Sequence, residues 1–239
     1  MALEIEILVT EHCPHGPPAV RRTEEVMAGL IPGLSPVVRT VLDREEALGL
    51  EFPGSPTIRV NGRDIEGPSM GPPALACRRY GAEGVPPAWM IEAGILRGLS
   101  PRHVLFLCVA NSARSQMAEG IARSLAPEGL RISSAGSEPT QIRPEAIRVL
   151  EEIGVDPKGQ HSKAIEDVGD GVDAVITLCA EEVCPTWLGQ AWRIHWGLPD
   201  PAGIQGSEEE RLQAFRDVRD ELRKRLGALF EPGSSPRAF

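Results

Sequence analysis

The chain has 239 residues, 41% of them hydrophobic and 25% charged, with a formal net charge of −9. That balance suits a folded core and excludes a basic nucleic-acid-binding surface, so an anion must be held by local rather than global positive potential. No apolar run reaches the roughly 20 residues that cross a bilayer, and Met1-Ala2-Leu3-Glu4-Ile5-Glu6 is acidic where a secretion signal is basic; a soluble cytoplasmic protein is expected.

In chain order, Leu3 to Val9 reads as a buried strand, Pro18 to Leu30 as a helix and Pro36 to Leu42 as a second strand. Thr57 to Val60, the Asn61-Gly62 pair and Arg63 to Glu66 predict a hairpin, because Asn-Gly suits a tight turn between strands. Gly67 to Pro73 is loop by composition and Pro87 to Leu96 a closing helix. Arg97-Gly98-Leu99-Ser100-Pro101 has a breaker at each end and is the expected seam between domains at 1–97 and 102–232. The second half restarts with His103 to Leu107, a continuous apolar strand buried on both faces. A helix from about Ser112 to Leu125, a strand from Arg131 to Ala135 and a helix from Pro144 to Ile153 follow. Asp173 to Leu178 and Ala191 to His195 are further strands; Ser207, with Glu210 placed for a capping box, opens a helix to about Phe230. Gly233-Ser234-Ser235-Pro236 ends the chain as a frayed tail. Strands alternating with helices predict an α/β fold whose second half is a doubly wound parallel sheet.

Five cysteines, Cys13, Cys77, Cys108, Cys179 and Cys184, fit poorly with a structural disulfide framework in a chain without an export signal. They are apolar fillers, metal ligands or reactive thiols. Cys108-Val109-Ala110-Asn111-Ser112-Ala113-Arg114-Ser115 follows a buried strand and leads into a helix. A cysteine, five residues and an arginine in that setting form an oxyanion cradle: loop N–H groups and the helix N-terminus converge where negative charge is favoured. The same field suits Cys108 acting as a thiolate nucleophile, while Arg114 offers a planar fork for two oxygens of a tetrahedral anion. Ser115 can donate to the sulfur and Asn111 can pin the loop. The bland reading makes Cys108 a packed strand-end residue and Arg114 a solvated one; the strand–loop–helix context weighs against it.

This segment resembles the phosphate loop of the low-molecular-weight tyrosine phosphatase fold. The wording of Asn111-Ser112, Arg114 to Gly120 and Ser134-Ala135-Gly136 is similar to that of the thioredoxin-coupled arsenate reductases of that fold, over residues 102 to about 230. One departure is Ala113, where many relatives carry a second cysteine. The resemblance implies that Asp200, between Pro199 and Pro201, is the general acid for the departing oxygen; without it, a turn-forming aspartate is the favoured reading. It also matches Asn111, Glu119 and Ser134 to a monovalent-cation site found in part of the family, with Ala164 where a carboxylate is expected.

Cys179 and Cys184 decide between two chemistries. A phosphatase needs only Cys108, whereas reducing As(V) needs two electrons from thiols. The implied relay is attack by Cys108 on arsenate, by Cys179 on Cys108, and by Cys184 on Cys179, leaving a disulfide for an external dithiol. The family spaces this pair more widely. Zinc binding by Cys-x4-Cys, with no second ligand pair nearby, is the weaker alternative, and no metal or cofactor is expected. A tyrosine phosphatase is the rival enzyme; against it, Ala202 follows Asp200-Pro201 where such phosphatases usually present a tyrosine.

In the first half, Val9 to Gly16 puts Cys13 between a strand and a helix, Gly54-Ser55-Pro56-Thr57 precedes a strand, and Cys77-Arg78-Arg79-Tyr80 follows. Together they resemble a small thioredoxin-like family. Gly16 stands where a Cys-x-x-Cys dithiol would have its second thiol. Cys13 and Cys77 are therefore candidate redox thiols of a built-in reductant, ligands of an arsenite-binding module, or packed residues of a redox-silent docking module. Expected partners are arsenate as substrate and, as reductant, a thioredoxin or the chain's own N-terminal domain.

Overall fold

The computed structural model describes residues 3–69, 71–180 and 185–230. It divides into two compact units that separate between Ser100 and Pro101.

The first unit is a mixed four-stranded sheet built from β1 (Ile5–Val9), β2 (Val37–Thr40), β3 (Thr57–Val60) and β4 (Arg63–Asp64), in the order β2-β1-β3-β4. β1 and β2 are parallel and joined through α1 (Gly16–Leu30); β3 runs antiparallel to β1. Asn61 and Gly62, both at positive φ (50° and 75°), make the β3–β4 turn, the backbone that a tight hairpin requires. β4 stops two residues earlier than the alternation suggests, because the Asp64 carboxylate accepts from the Glu66 N–H and its carbonyl from the Gly67 N–H, turning the chain away. Helix α3 (Ala88–Leu99) lies close on this hairpin: Cβ atoms added at Gly94 and Gly98, one helical turn apart, would stand 2.5 Å from Ile65 Cγ2 and 2.4 Å from Val60 Cγ1. α3 runs through the first half of the expected seam and ends at Ser100, which takes a left-handed conformation (φ 53°) before Pro101. A short helix, α2 (Arg44–Gly49), was not expected. Its start is capped by Asp43, which accepts from the Glu46 N–H, while Glu46 reaches back past the cap to the Leu42 N–H. It brings Ala47 and Phe52 against Leu8 and Val41.

The second unit is an all-parallel sheet of β5 (His103–Cys108), β6 (Arg131–Gly136), β7 (Ala174–Cys179) and β8 (Trp192–Leu198), in the order β6-β5-β7-β8. All six residues of β5 are buried, as a central parallel strand demands. Leu105 and Leu107 pack with Ala135 and Val175 on one face, beneath Ile165, Val168, Trp187 and Ala191. The pleat turns Val104, Phe106 and Cys108 to the other face, where α4 (Arg114–Leu125), α5 (Pro144–Glu151) and α6 (Glu208–Phe230) pack together. α6 opens with the expected capping box: Glu210 N–H donates to Ser207 Oγ, and Ser207 N–H to Glu210 Oε2. α5 closes two residues short of Ile153, where Gly154 (φ 72°) lets the Val155 N–H return to the Leu150 carbonyl. β8 continues past His195 to Leu198 through a bulge opposite Thr177–Cys179. Among the described residues no helix is long and apolar enough to cross a membrane.

Candidate active site

The Cys108–Ser115 segment occupies the carboxyl end of the central strand, where open parallel sheets place their ligands. The carbonyls of residues 109–112 are each tied to a donor outside the loop. Val109 O accepts from the Glu138 N–H at 2.9 Å, Ala110 O from Thr140 N–H at 3.0 Å, and Ser112 O from Arg143 N–H at 2.9 Å. Asn111 O accepts from Ser162 Oγ at 2.6 Å. In a trans peptide the N–H points opposite the C=O, so the N–H groups of residues 110–113 turn to the inner side of the loop. That is how an uncharged backbone becomes an anion-binding concavity. Helix α4 therefore starts at Arg114 rather than Ser112, the two preceding residues belonging to the cradle.

Gly136, the last residue of β6, sets how closely the loop can approach. A Cβ there would lie 2.3 Å from Val109 O and 2.8 Å from Asn111 N. Asn111 holds the loop from within, in a left-handed conformation (φ 45°) that asparagine tolerates. Its Oδ1 accepts from the Lys163 backbone N–H at 2.9 Å, which fixes the amide orientation, and from Gln116 Nε2 at 3.1 Å. Its Nδ2 then donates to Ser115 Oγ and Ser134 Oγ, both at 2.8 Å. The Ser134 hydroxyl donates to the fully buried Glu119, whose carboxylate is balanced by Arg123 and by Lys163 Nζ at 3.5 Å. Ser115, already an acceptor, has its own proton available for Cys108 Sγ, 2.9 Å away. A polar chain thus runs from a buried carboxylate to the sulfur, and every hydroxyl in it has a set direction. Ser162 and Lys163 are site residues that the sequence reading did not single out; only their long-range bonds to Asn111 reveal them.

Arg114 is almost entirely buried (4% exposed). Its Nη1 donates to the Leu198 carbonyl at 3.0 Å and its Nη2 lies 3.5 Å from Asp200 Oδ1. The Asp200 side chain also accepts from the Ala202 N–H at 3.3 Å, opening a short 3-10 turn at Pro201–Gly203. The structure therefore brings Cys108, Arg114, Ser115 and Asp200 to one end of the sheet.

Cys179, fully buried, ends β7, the neighbour of the Cys108 strand. Leu107 pairs with Thr177, so the two cysteines end adjacent strands; the pleat assigns Cys179 to the face of Val175 and Thr177, opposite that of Cys108. Cys184 lies outside the described residues. In the first unit, Cys13 occupies the turn between β1 and α1, its N–H bonded to Thr10 O at 3.2 Å. Cys77 is exposed and bridges to Ser55, whose Oγ accepts from the Thr10 N–H at 2.9 Å; the Ser55–Pro56 peptide is cis. Cys13, Cys77 and Cys108 are free thiols. Among the described residues no cluster of three or more His, Cys, Asp or Glu side chains is arranged to hold a metal.

Residues 103–234 match the family described as Low molecular weight phosphotyrosine protein phosphatase. The chain is 39% identical over 138 residues to an arsenate reductase of Halalkalibacterium halodurans, covering 56% of this chain and 99% of that one. It is 41% identical over 133 residues to an arsenate reductase of Bacillus subtilis, covering 54% and 96%. A solved arsenate reductase in the phosphate-binding state is 37% identical, with a TM-score of 0.46, over 56% of this chain and 99% of that chain.

Proposed function

The chain belongs to the low molecular weight phosphotyrosine protein phosphatase family, and within that family we propose that it reduces arsenate to arsenite with electrons from its own thiols. One observation carries the reading beyond ester hydrolysis: a second buried cysteine, Cys179, ends the strand hydrogen-bonded to the one that ends in Cys108. Hydrolysis needs no such thiol. Arsenate fits a cradle made for a tetrahedral anion, and relatives of this chain along nearly their whole length are arsenate reductases.

In the proposed cycle the Cys108 sulfur attacks arsenic while Ser115 donates to it. The N–H groups of residues 110–113 and Arg114 hold the oxygens, and Asp200 gives a proton to the oxygen that leaves as water. Cys179 then attacks Cys108: an S–S bond forms, the S–As bond breaks, and its electron pair stays on arsenic, which departs as arsenite. Cys184 attacks Cys179, frees Cys108 and leaves a Cys179–Cys184 disulfide for a thioredoxin-type dithiol to reduce. Because the pleat points Cys179 away from Cys108, the chain beyond Thr177 has to turn over during the second step.

The first unit, over residues 1–97, we read as a thioredoxin-like domain beside a reductase domain at 102–232. The strand order β2-β1-β3-β4, with Cys13 at the β1–α1 junction and a cis Ser55–Pro56 before β3, supports this reading. Its thiols would recycle the relay disulfide, with holding the arsenite product as the other use of Cys13 and Cys77.

Arsenate-dependent oxidation of reduced thioredoxin tests the function. The wild type is expected to turn over and Cys179→Ser to stall after one equivalent at most; equal turnover in both would remove the relay.

A further inference from the structure

The buried carboxylate behind the oxyanion loop has no part in the proposed cycle. Glu119 is fully buried on α4, and among the described residues two side-chain cations meet it. The Arg123 guanidinium sits against Oε1 as an ion pair without an aligned hydrogen bond, its own side chain 46% exposed. Lys163 Nζ stands 3.5 Å from Oε2 and donates to the His161 carbonyl at 3.3 Å, with a side chain only 15% exposed. The main chain of Lys163 is clamped as well. Its N–H donates to Asn111 Oδ1 at 2.9 Å, and its carbonyl accepts from the Gly136 N–H at 3.1 Å. One residue thus meets the central asparagine of the loop, the end of β6 and the carboxylate behind them.

Asn111, Glu119 and Ser134 are the positions that the family resemblance matches to a monovalent-cation site, and their oxygens do not fit one here. A hard cation needs oxygen lone pairs turned toward it. Asn111 Oδ1 uses both of its own on the N–H groups of Lys163 and Gln116. Ser134 Oγ accepts from Asn111 Nδ2 at 2.8 Å and donates its proton to Glu119. The side chain of Ala164 adds no oxygen. Charge argues the same way: one carboxylate against two side-chain cations leaves the cluster positive, so a further cation is repelled.

We propose that the Lys163 ammonium is the built-in counter-ion of this cluster in place of a metal cation, and that Lys163 is a positioning residue for the oxyanion loop. It holds Glu119 Oε2 where the Ser134 hydroxyl donates. Ser134 in turn accepts from Asn111, whose amide also donates to Ser115, the residue beside the Cys108 sulfur. Without the ammonium, a buried carboxylate would keep only the half-exposed Arg123, and the hydroxyl chain would lose its fixed end. The cradle therefore works alike in potassium and in sodium. The proposal rests on the cradle holding an oxyanion and not on arsenate reduction.

Inorganic phosphate is the probe. Full-length protein is treated with iodoacetamide, and the phosphate concentration that half-protects the Cys108 peptide is read by mass spectrometry. The series is run in potassium, sodium and tetramethylammonium chloride at equal ionic strength, beside thermal unfolding in the same salts. Wild type is expected to give one half-protecting concentration and one unfolding midpoint in all three. Lys163→Ala should need on the order of tenfold more phosphate, less than the roughly hundredfold that a 1 Å misplacement costs in catalysis. It should regain protection with added ethylammonium in proportion to its concentration, and Lys163→Arg should stay near the wild type. Potassium that raises the midpoint or the protection of the wild type above its value in tetramethylammonium would overturn the proposal. So would a Lys163→Ala protein protected like the wild type, or one weakened without any response to ethylammonium. The wild-type salt series uses no variant and decides even if Lys163→Ala does not fold. If phosphate protects Cys108 in no salt, the oxyanion reading falls, and the unfolding midpoints alone judge Lys163.

Discussion

Arg114 Nη2 lies 3.5 Å from Asp200 Oδ1 while Nη1 of the same guanidinium holds the Leu198 carbonyl at 3.0 Å. One buried side chain therefore joins the Cys108–Ser115 loop to the loop of Asp200 and sets how far the proposed nucleophile stands from the proposed proton donor.

Arg114→Lys should be far from conservative. An ammonium is a point donor that cannot hold Leu198 O and grip an oxyanion with a planar fork at once. Losing the oriented donor is expected to cost about 10²–10³-fold in kcat, read from steady-state arsenate reduction and from p-nitrophenyl phosphate hydrolysis. A change under threefold in both would show that Arg114 is not the organiser.

Gly136→Ala tests the cradle without touching a polar group. The added methyl would sit 2.3 Å from Val109 O and 2.8 Å from Asn111 N, so backbone must move. A displacement on the order of 1 Å in the loop is expected to lower kcat/KM about 10²-fold, with far-ultraviolet circular dichroism unchanged. Wild-type activity would mean that the loop tolerates more room than its outward hydrogen bonds imply.

Asn111→Ala removes the four side-chain bonds at the loop's centre and leaves an alanine at φ 45°. Unpaired buried donors and the left-handed backbone together are expected to cost about 2–4 kcal/mol in urea unfolding. Asn111→Gly should recover about 1 kcal/mol of that, because glycine relieves only the backbone part.

Glu152 gives a pH signature remote from the site. Hydrogen bonds from Arg216 first, and then from Arg219, hold its carboxyl at about 2 instead of the ordinary 4.5. A carboxyl depressed on folding stabilises the fold fully above its unfolded value, and that contribution is lost as pH falls from 4.5 toward about 2. Urea midpoints of wild type and Glu152→Gln should therefore differ most at pH 7 and draw together as pH falls through 4.5 toward about 2. A gap of constant size would remove the linkage.

Much of this fold was legible because buried parallel strands must be continuous apolar runs: His103–Leu107 and Asp173–Leu178 could hardly be anything else. The Cys108–Arg114 spacing was equally plain, since the chemistry fixes both residue types and their separation. Asp200 is different. By itself an aspartate between prolines is a turn, as its bond from the Ala202 N–H shows, and it is the link to Arg114, brought in by the bulged end of β8, that ties it to the Cys108 loop. The roles of Gly136, Ser162 and Lys163 rest on backbone contacts between segments 25 or more residues apart, which no local pattern records. Helix α2 was missed although Asp43 and Glu46 spell its start, because six residues leave too short a period to see. The opposite facing of Cys108 and Cys179 follows from strand register, which spacing within the chain cannot give.

The most direct test is non-reducing peptide mapping of protein quenched after one arsenate turnover without external reductant. A Cys179–Cys184 link is expected in the wild type and a trapped Cys108–Cys179 link in Cys184→Ser. Arsenite released while Cys179 stays a free thiol throughout would contradict the relay.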